Sequence, residues 1–262
     1  HAGVVFAELS SKRRQLGARA RQRVANRVLR VSGDEAGTWL LSDLVAQHFD
    51  ARVEARDRHF IIISGNVAVD AQRQFVSDGG QVRMAGTLEN TGNELELTHV
   101  LYLWAGRIVG GTISGAGEEA RLIVSGSGSE LDGVTLEVPM NILGGFSATV
   151  RNNLILNSEL HLENTSSSAF AAATLEFPGD QTLSGSGAIV FGGSANFNNH
   201  VRAGDNGTLT IGPDIVVQSG TWGGALGSVD RLIDEAMDQG LATVIDWHHF
   251  DDLTADPQAE TA

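Results

Sequence analysis

The chain has 262 residues with a net charge of −14, 32 glycines, four prolines and no cysteine. Its apolar content of 42% is enough for a core and excludes global disorder, while many glycines with few prolines exclude collagen and suit a fold rich in tight turns. The lack of cysteine excludes disulfides, thiolate metal sites and a cysteine nucleophile.

Charge divides the chain. Residues 1–30 carry eight Arg/Lys and only Glu8 as an acid, whereas residues 31–262 carry ten basic and 31 acidic side chains. Nucleic acid and anionic lipid are therefore poor partners for everything after residue 30. No apolar run approaches the ~20 residues that span a bilayer, so no membrane span is expected. No signal-peptide pattern is visible.

Residues 1–59 read as a helical N-terminal cap region. Leu16, Ala20, Val24 and Val28 recur every four residues among arginines, an apolar stripe on a basic helix. Such a helix suits a membrane surface or nucleic acid, or it covers the open end of a repeat stack; the cover is the preferred reading. Trp39, Leu40, Leu44, Val45 and Phe49 predict a second helix over 38–50, and the charged run Arg52 to His59 reads as a connection.

From residue 60 to 225 the pattern changes to short apolar alternations split by Gly, Ser, Asn and Asp. Phe60–Ile63 is a strand stopped by Ser64-Gly65-Asn66. Further strands are predicted at Met84–Leu88, Leu95–Leu103, Ile108–Ile113, Leu122–Ser125, Val134–Val138, Ala148–Val150, Leu154–Leu156, Leu160–Leu162, Thr174–Phe177, Ala188–Phe191, Leu209–Ile211 and Ile215–Val217. Thr112-Ile113-Ser114-Gly115-Ala116-Gly117 and Thr182-Leu183-Ser184-Gly185-Ser186-Gly187 start 70 residues apart, or three turns of about 23. Gly86-Thr87-Leu88 and Gly111-Thr112-Ile113 start 25 apart, with a similar run opening at Gly133. This recurrence favours a solenoid of stacked coils; a β-sandwich or barrel with strands every 8–12 residues stays open.

A β-helix enzyme acting on polysaccharide needs carboxylates clustered on one face. Asp132, Asp180, Asp205 and Asp214 are single, each beside Gly or Pro in turn-like surroundings, and are expected to bond their own backbone. His99, His161 and His200 have no ligand-like spacing, so no metal or other cofactor is expected. Asn152-Asn153 and Asn198-Asn199 suggest Asn ladders or turns. Trp222, between glycines, is a candidate sugar-stacking platform or a cap for the last coil.

The tail, 228–262, has a different grammar. Ser228 can cap a helix whose apolar face is Val229, Leu232, Ile233, Ala236 and Met237, and Gly240 sits where it should stop. Leu241–Ile245 then reads as a buried parallel strand, with Trp247-His248-His249-Phe250 at its exit. A helix, a stop and a strand with polar groups at its C-terminal end form one step of a (β/α)₈ barrel.

Two resemblances follow from these residues. Gly86-Thr87-Leu88-Glu89-Asn90-Thr91-Gly92-Asn93, Gly110-Gly111-Thr112-Ile113, Leu131-Asp132-Gly133-Val134-Thr135-Leu136, Gln181–Gly187 and Leu209–Pro213 are similar to the β-strand-repeat regions of large bacterial exported proteins. That implies a right-handed parallel β-helix in a secreted or surface protein, often beside carbohydrate-active modules. The run Gln239–Asp251, followed by Ala255-Asp256-Pro257, resembles the third barrel strand of glycoside hydrolase family 5. It implies that His248 and His249, beside Trp247, would line a sugar subsite. The family's Asn-Glu-Pro acid motif has no counterpart here, and the paired carboxylates of retaining hydrolysis are missing.

The expectation is a mainly β protein: a right-handed parallel β-helix at 60–225, a helical region at 1–59 and an α/β tail at 228–262. The expected function is a non-catalytic extracellular or cell-surface module, acting as spacer, adhesin or carbohydrate-contacting scaffold, with polysaccharide as the candidate partner. The alternative is a truncated part of a glycoside hydrolase that lacks its catalytic residues. The sequence sets no oligomeric state.

Overall fold

The computed structural model describes residues 29–31, 38–41, 52–69, 74–164, 172–193, 199–204, 207–220, 223–226 and 243–245. They form a parallel β-solenoid in which every pairing between described strands is parallel and joins one coil to the next. Each coil contributes a strand to up to three faces, visited in a fixed order.

Face one is a ten-stranded sheet running from Thr38–Leu41 and Phe60–Ile63 through Gln81–Met84, Val100–Trp104, Arg121–Gly126, Met140–Leu143, Glu159–Asn164, Ala188–Gly193 and Val216–Ser219 to Thr243–Ile245. Face two starts at Asn66–Ala68, Thr87–Glu89 and Arg107–Val109 and ends at Thr174–Pro178, Asn199–Gly204 and Gly224–Leu226. Face three holds Glu94–Leu97, Thr112–Gly115, Gln181–Ser184 and Leu209–Ile211. Between these, Ser129–Glu137 and Ser147–Leu156 are long enough to bend across both faces, pairing with face two in their first halves and face three in their second. Leu29–Val31, Arg52–Arg56 and Gln74–Asp78 make a separate three-stranded sheet at the N-terminal end.

Alternation drives this winding. In Gln81–Met84, Glu94–Leu97 and Arg121–Gly126 every second side chain is buried, which is the period of a strand with one wet face. Register then stacks the inward residues into columns. Ile63, Met84, Leu103, Val124, Ile142, Leu162 and Phe191 form one such column on face one, each the register partner of the next and all buried. Each fully buried aliphatic side chain contributes about 1.5–3 kcal/mol relative to exposure.

Corners are set by residues that tolerate close approach or positive φ. At Gly86, between faces one and two, a Cβ would collide with the carbonyl oxygen of Gly65, one coil earlier. The backbone ladder can continue there: Thr87 N–H donates to Gly65 O and Arg107 N–H to Gly86 O.

Several expectations are corrected. Thr38–Leu41, expected to open a helix, is a strand paired with Phe60–Ile63. Arg52–Arg56, expected as a connection, is a strand in which Val53, Glu54 and Ala55 are all buried. Glu54 is accommodated because Arg56 donates to it and also lies 3.3 Å from Asp78. The expected period of 23 is an average. Face one advances 21 residues from Ile61 to Val82 and 18 from Leu122 to Met140, but 29 from Leu160 to Ile189 and 28 from Ile189 to Val217. The added length falls between Asn164 and Thr174 and between Gly193 and Asn199.

Of the tail, Thr243–Ile245 is a strand, as expected, and it pairs with Val216–Gln218 as an extension of face one. The helical stripe expected at Leu16–Val28, the rest of the helix expected over 38–50 and the helix expected between Ser228 and Gly240 lie outside the described residues.

Candidate functional site

Trp222, Trp247, His248 and His249, the residues singled out for sugar contact, lie outside the described residues, as do Asp205 and Asn198. The other candidates have defined places, and the solenoid does not converge them.

His99 stands at the corner between faces three and one, with Nδ1 3.1 Å from Thr98 Oγ1 and Nε2 3.8 Å from Glu119. His161 points out from face one, 2.9 Å from Glu159. His200 is half-buried on face two; burial and the nearby Arg202 draw its pKa below the usual histidine value. Among the described residues no three His, Asp or Glu side chains are grouped to hold a metal ion.

Asp214 sits in a turn, as expected, but two of the aspartates differ from the turn reading. Asp180 Oδ1 accepts from the Thr208 N–H of the next coil rather than from its own turn, 2.9 Å away. Asp132 is a buried strand residue on face two. It accepts from Arg107 Nη2 through Oδ2 and from Asn152 Nδ2 through Oδ1, the latter at 2.6 Å. Burial works to raise its pKa, but these two hydrogen bonds and the charges of Arg107 and Arg151 outweigh it and hold the carboxyl below its usual range. Glu130, two residues earlier, lies 2.9 Å from both Arg107 Nε and Arg151 Nε. The two carboxylates on one face are therefore clasped by two guanidiniums, an arrangement that fixes charge in place and does not leave a paired acid and base over open solvent.

Asn152 and Asn153 both have positive φ, 52° and 69°, and turn the chain from face two to face three. Asn153 Oδ1 accepts from Thr182 N–H while its own N–H donates to Gln181 Oε1, each at 2.7 Å. The turn reading of this pair holds, with the addition of an inter-coil clamp. A shallow depression of about 360 Å³ opens here between Gly133, Asn152, Asn153, Ile155, Thr182 and Ser184. None of these side chains titrates in the accessible range, so it offers contact without acid–base chemistry.

A second surface lies on the N-terminal half of face one, and the sequence reading passed over it. Trp104 is 38% exposed, one of two large hydrophobic side chains so placed among the described residues. Arg83 lies over the Phe60 ring at 4.4 Å and over the Trp104 ring at 5.5 Å, in the range of cation–π attraction. Its Nε and Nη2 donate to Gln81 Oε1 at 2.9 and 2.7 Å. Burial draws the Arg83 guanidinium below its usual pKa, with Tyr102 opposing the shift.

Trp104 continues the outward alternation of Val100 and Tyr102 and sits beside an irregularity. Its strand pairs Leu103 with Val124 but Trp104 with Gly126, so Ser125 is an extra residue, a β-bulge in the neighbouring strand. Ala105 follows at φ 58°, a left-handed conformation that alanine rarely adopts. Buried Ser129 holds the bulge: its Oγ accepts from Ala105 N–H at 3.2 Å and donates to Gly126 O at 2.8 Å, with Leu103 O at 3.3 Å. A Cβ at Gly126 would come 2.5 Å from Trp104 Cδ1, so the indole occupies room that a side chain there would take. The signal available in the sequence was Trp104-Ala105-Gly106, an aromatic residue at the end of an apolar strand just before a glycine.

No protein-family model matches this chain, and neither the curated proteins nor the solved structures return a match.

Proposed function

We propose that this chain is a non-catalytic extracellular or cell-surface module whose rigid β-solenoid serves as a carbohydrate-contacting scaffold. Its winding is expected to be right-handed, the hand that parallel crossovers adopt. The observation that carries the reading is the contrast between faces one and two. Carboxylates that could do chemistry on face two are clasped by Arg107 and Arg151, while face one raises a half-exposed indole beside a guanidinium. An aromatic ring with an apolar face and a polar neighbour suits a ligand with both apolar and hydroxylated surfaces. The export setting rests on the resemblance of residues 80–225 to β-strand-repeat regions.

Pull-down of the 262-residue chain on insoluble polysaccharides tests the reading, together with incubation on soluble β-glucans. Binding without release of reducing ends is the expected result. Turnover abolished by His248→Ala would overturn it in favour of a glycoside hydrolase piece.

A further inference from the structure

On the N-terminal half of face one, the outward positions of Phe60–Ile63, Gln81–Met84, Val100–Trp104 and Arg121–Gly126 are Phe60, Ile62, Gln81, Arg83, Val100, Tyr102, Trp104, Arg121, Ile123 and Ser125. Two are arginines and none is an acid, in a chain whose net charge is −14. The acids nearest along the chain, Asp57, Asp78, Glu118 and Glu119, lie outside these strands; Asp78 is 3.3 Å from Arg56, and Glu118 meets Arg121 through its backbone carbonyl, 3.2 Å from Arg121 Nη2. Arg107, Arg151 and Arg202, by contrast, each pair with a carboxylate on face two. Among the described residues Arg83 has no carboxylate partner; aromatic rings and one amide surround it.

This patch is also costly to build. It combines a left-handed alanine, a bulge and a Ser125 Oγ that is buried without a hydrogen-bond partner. Backbone outliers and unsatisfied polar groups persist where the surrounding structure enforces them, and they gather at ligand sites. Here all three lie beside Trp104, at the end of the strand pair that carries it.

From this arrangement we infer that the Phe60–Arg83–Tyr102–Trp104 patch binds a polysaccharide whose pyranose rings carry carboxylates, a uronate polymer. The inference rests on the carbohydrate-contacting reading above and specifies its ligand class. Trp104 supplies a ring face for a sugar, and Arg83, already oriented by Gln81, supplies a guanidinium for the carboxylate. An acidic peptide fits less well. Peptides dock in grooves or add to a free sheet edge, whereas these are interior strands of a sheet paired on both sides.

Affinity electrophoresis of the full chain through gels containing polygalacturonate tests the assignment, with neutral mixed-linkage β-glucan and poly-glutamate gels as comparators. The expected result is retardation by polygalacturonate alone, reduced by added salt, and weakened by about tenfold or more in both Arg83→Gln and Trp104→Ala. Thr210→Ala, on face three, should leave it unchanged, and circular dichroism should show native β content in every variant. Equal retardation by poly-glutamate, or full retention in Trp104→Ala, would overturn the uronate assignment. So would retardation by neutral glucan independent of Arg83, although the carbohydrate-contacting reading would then stand. Retardation by neither polysaccharide in the gels, with no binding to the insoluble ones, would overturn both.

Discussion

Ser129 shows how much one small side chain can hold. Its hydroxyl is fully buried and serves both sides of the bulge, accepting from Ala105 and donating to Gly126. Ser129→Ala strips both groups of their partner, and a buried polar group left unpaired costs about 1–3 kcal/mol. Urea denaturation should show a loss of that size, and the fluorescence of Trp104 should change as the bulge relaxes; an unaltered stability and spectrum would mean that the bulge holds itself. Two titrating groups on face two make stability depend on pH. Asp132 has a folded pKa below its ordinary 3.8, so its contribution is fully present above that value and is lost as pH falls through the lower folded one. Asp132→Asn should therefore flatten the acid limb of stability below about pH 4. His200 also titrates low, from an ordinary 6.5, because burial and Arg202 disfavour its charged form. It carries no penalty above pH 6.5, and the penalty grows as pH falls from there towards the folded value. Urea midpoints at pH 5 and pH 7 should differ less in His200→Gln than in the parent chain.

At the scale of elements, the sequence was most legible where burial is one-sided. Glu94–Leu97, Arg121–Gly126 and Glu159–Asn164 alternate cleanly, and strands were expected there from Leu95, Leu122 and Leu160. Legibility failed where a second influence masked the period. Thr38–Leu41 offers Trp-Leu-Leu in a row, so no polar residue marks the strand period. In Arg52–Arg56 the alternation is present, but Glu54 is buried and salt-bridged, and its charge looked like that of a connection. The candidate site was hidden for a related reason. Arg83 and Trp104 acquire meaning only once register brings successive coils together, across a separation that no local motif encodes. Corners follow the same logic of neighbouring coils. Gly86 has no room for a Cβ beneath the Gly65 carbonyl, so Gly86→Ala must push two coils apart. The thermal midpoint should fall, by several degrees if the cost reaches the ~1–3 kcal/mol of ordinary overpacking.

Across the whole molecule, the apparent repeats match the coils only in part. Gly86-Thr87-Leu88 and Gly111-Thr112-Ile113 look equivalent, yet Leu88 pairs with Ile108 on face two and Ile113 pairs with Leu95 on face three. The two hexapeptides are separated by coils of unequal length: Thr112 pairs with Thr135, Thr135 with Ile155, and Ile155 with Ser184, two residues beyond Thr182. A shift of two keeps the inward set inward, so coils can vary in length without exposing the core. What the fold conserves is contact with the coil before and the coil after. Stability should then be a sum of coil terms and nearest-neighbour terms, as in other stacked repeats. Leu136 sits fully buried in a central coil, the register partner of Ile113 before it and Leu156 after it. Leu136→Ala should cost about 2–5 kcal/mol, with the loss concentrated at the two interfaces it touches. Hydrogen exchange in the native state should accelerate for amides of Thr112–Gly115, Ser129–Glu137 and Ser147–Leu156, and change little in Phe60–Ile63 or Val216–Ser219. Urea unfolding should broaden as the stacks on either side of the weakened coil uncouple. A uniform loss of protection from one end to the other would instead make the solenoid a single cooperative unit, and the nearest-neighbour account would fail.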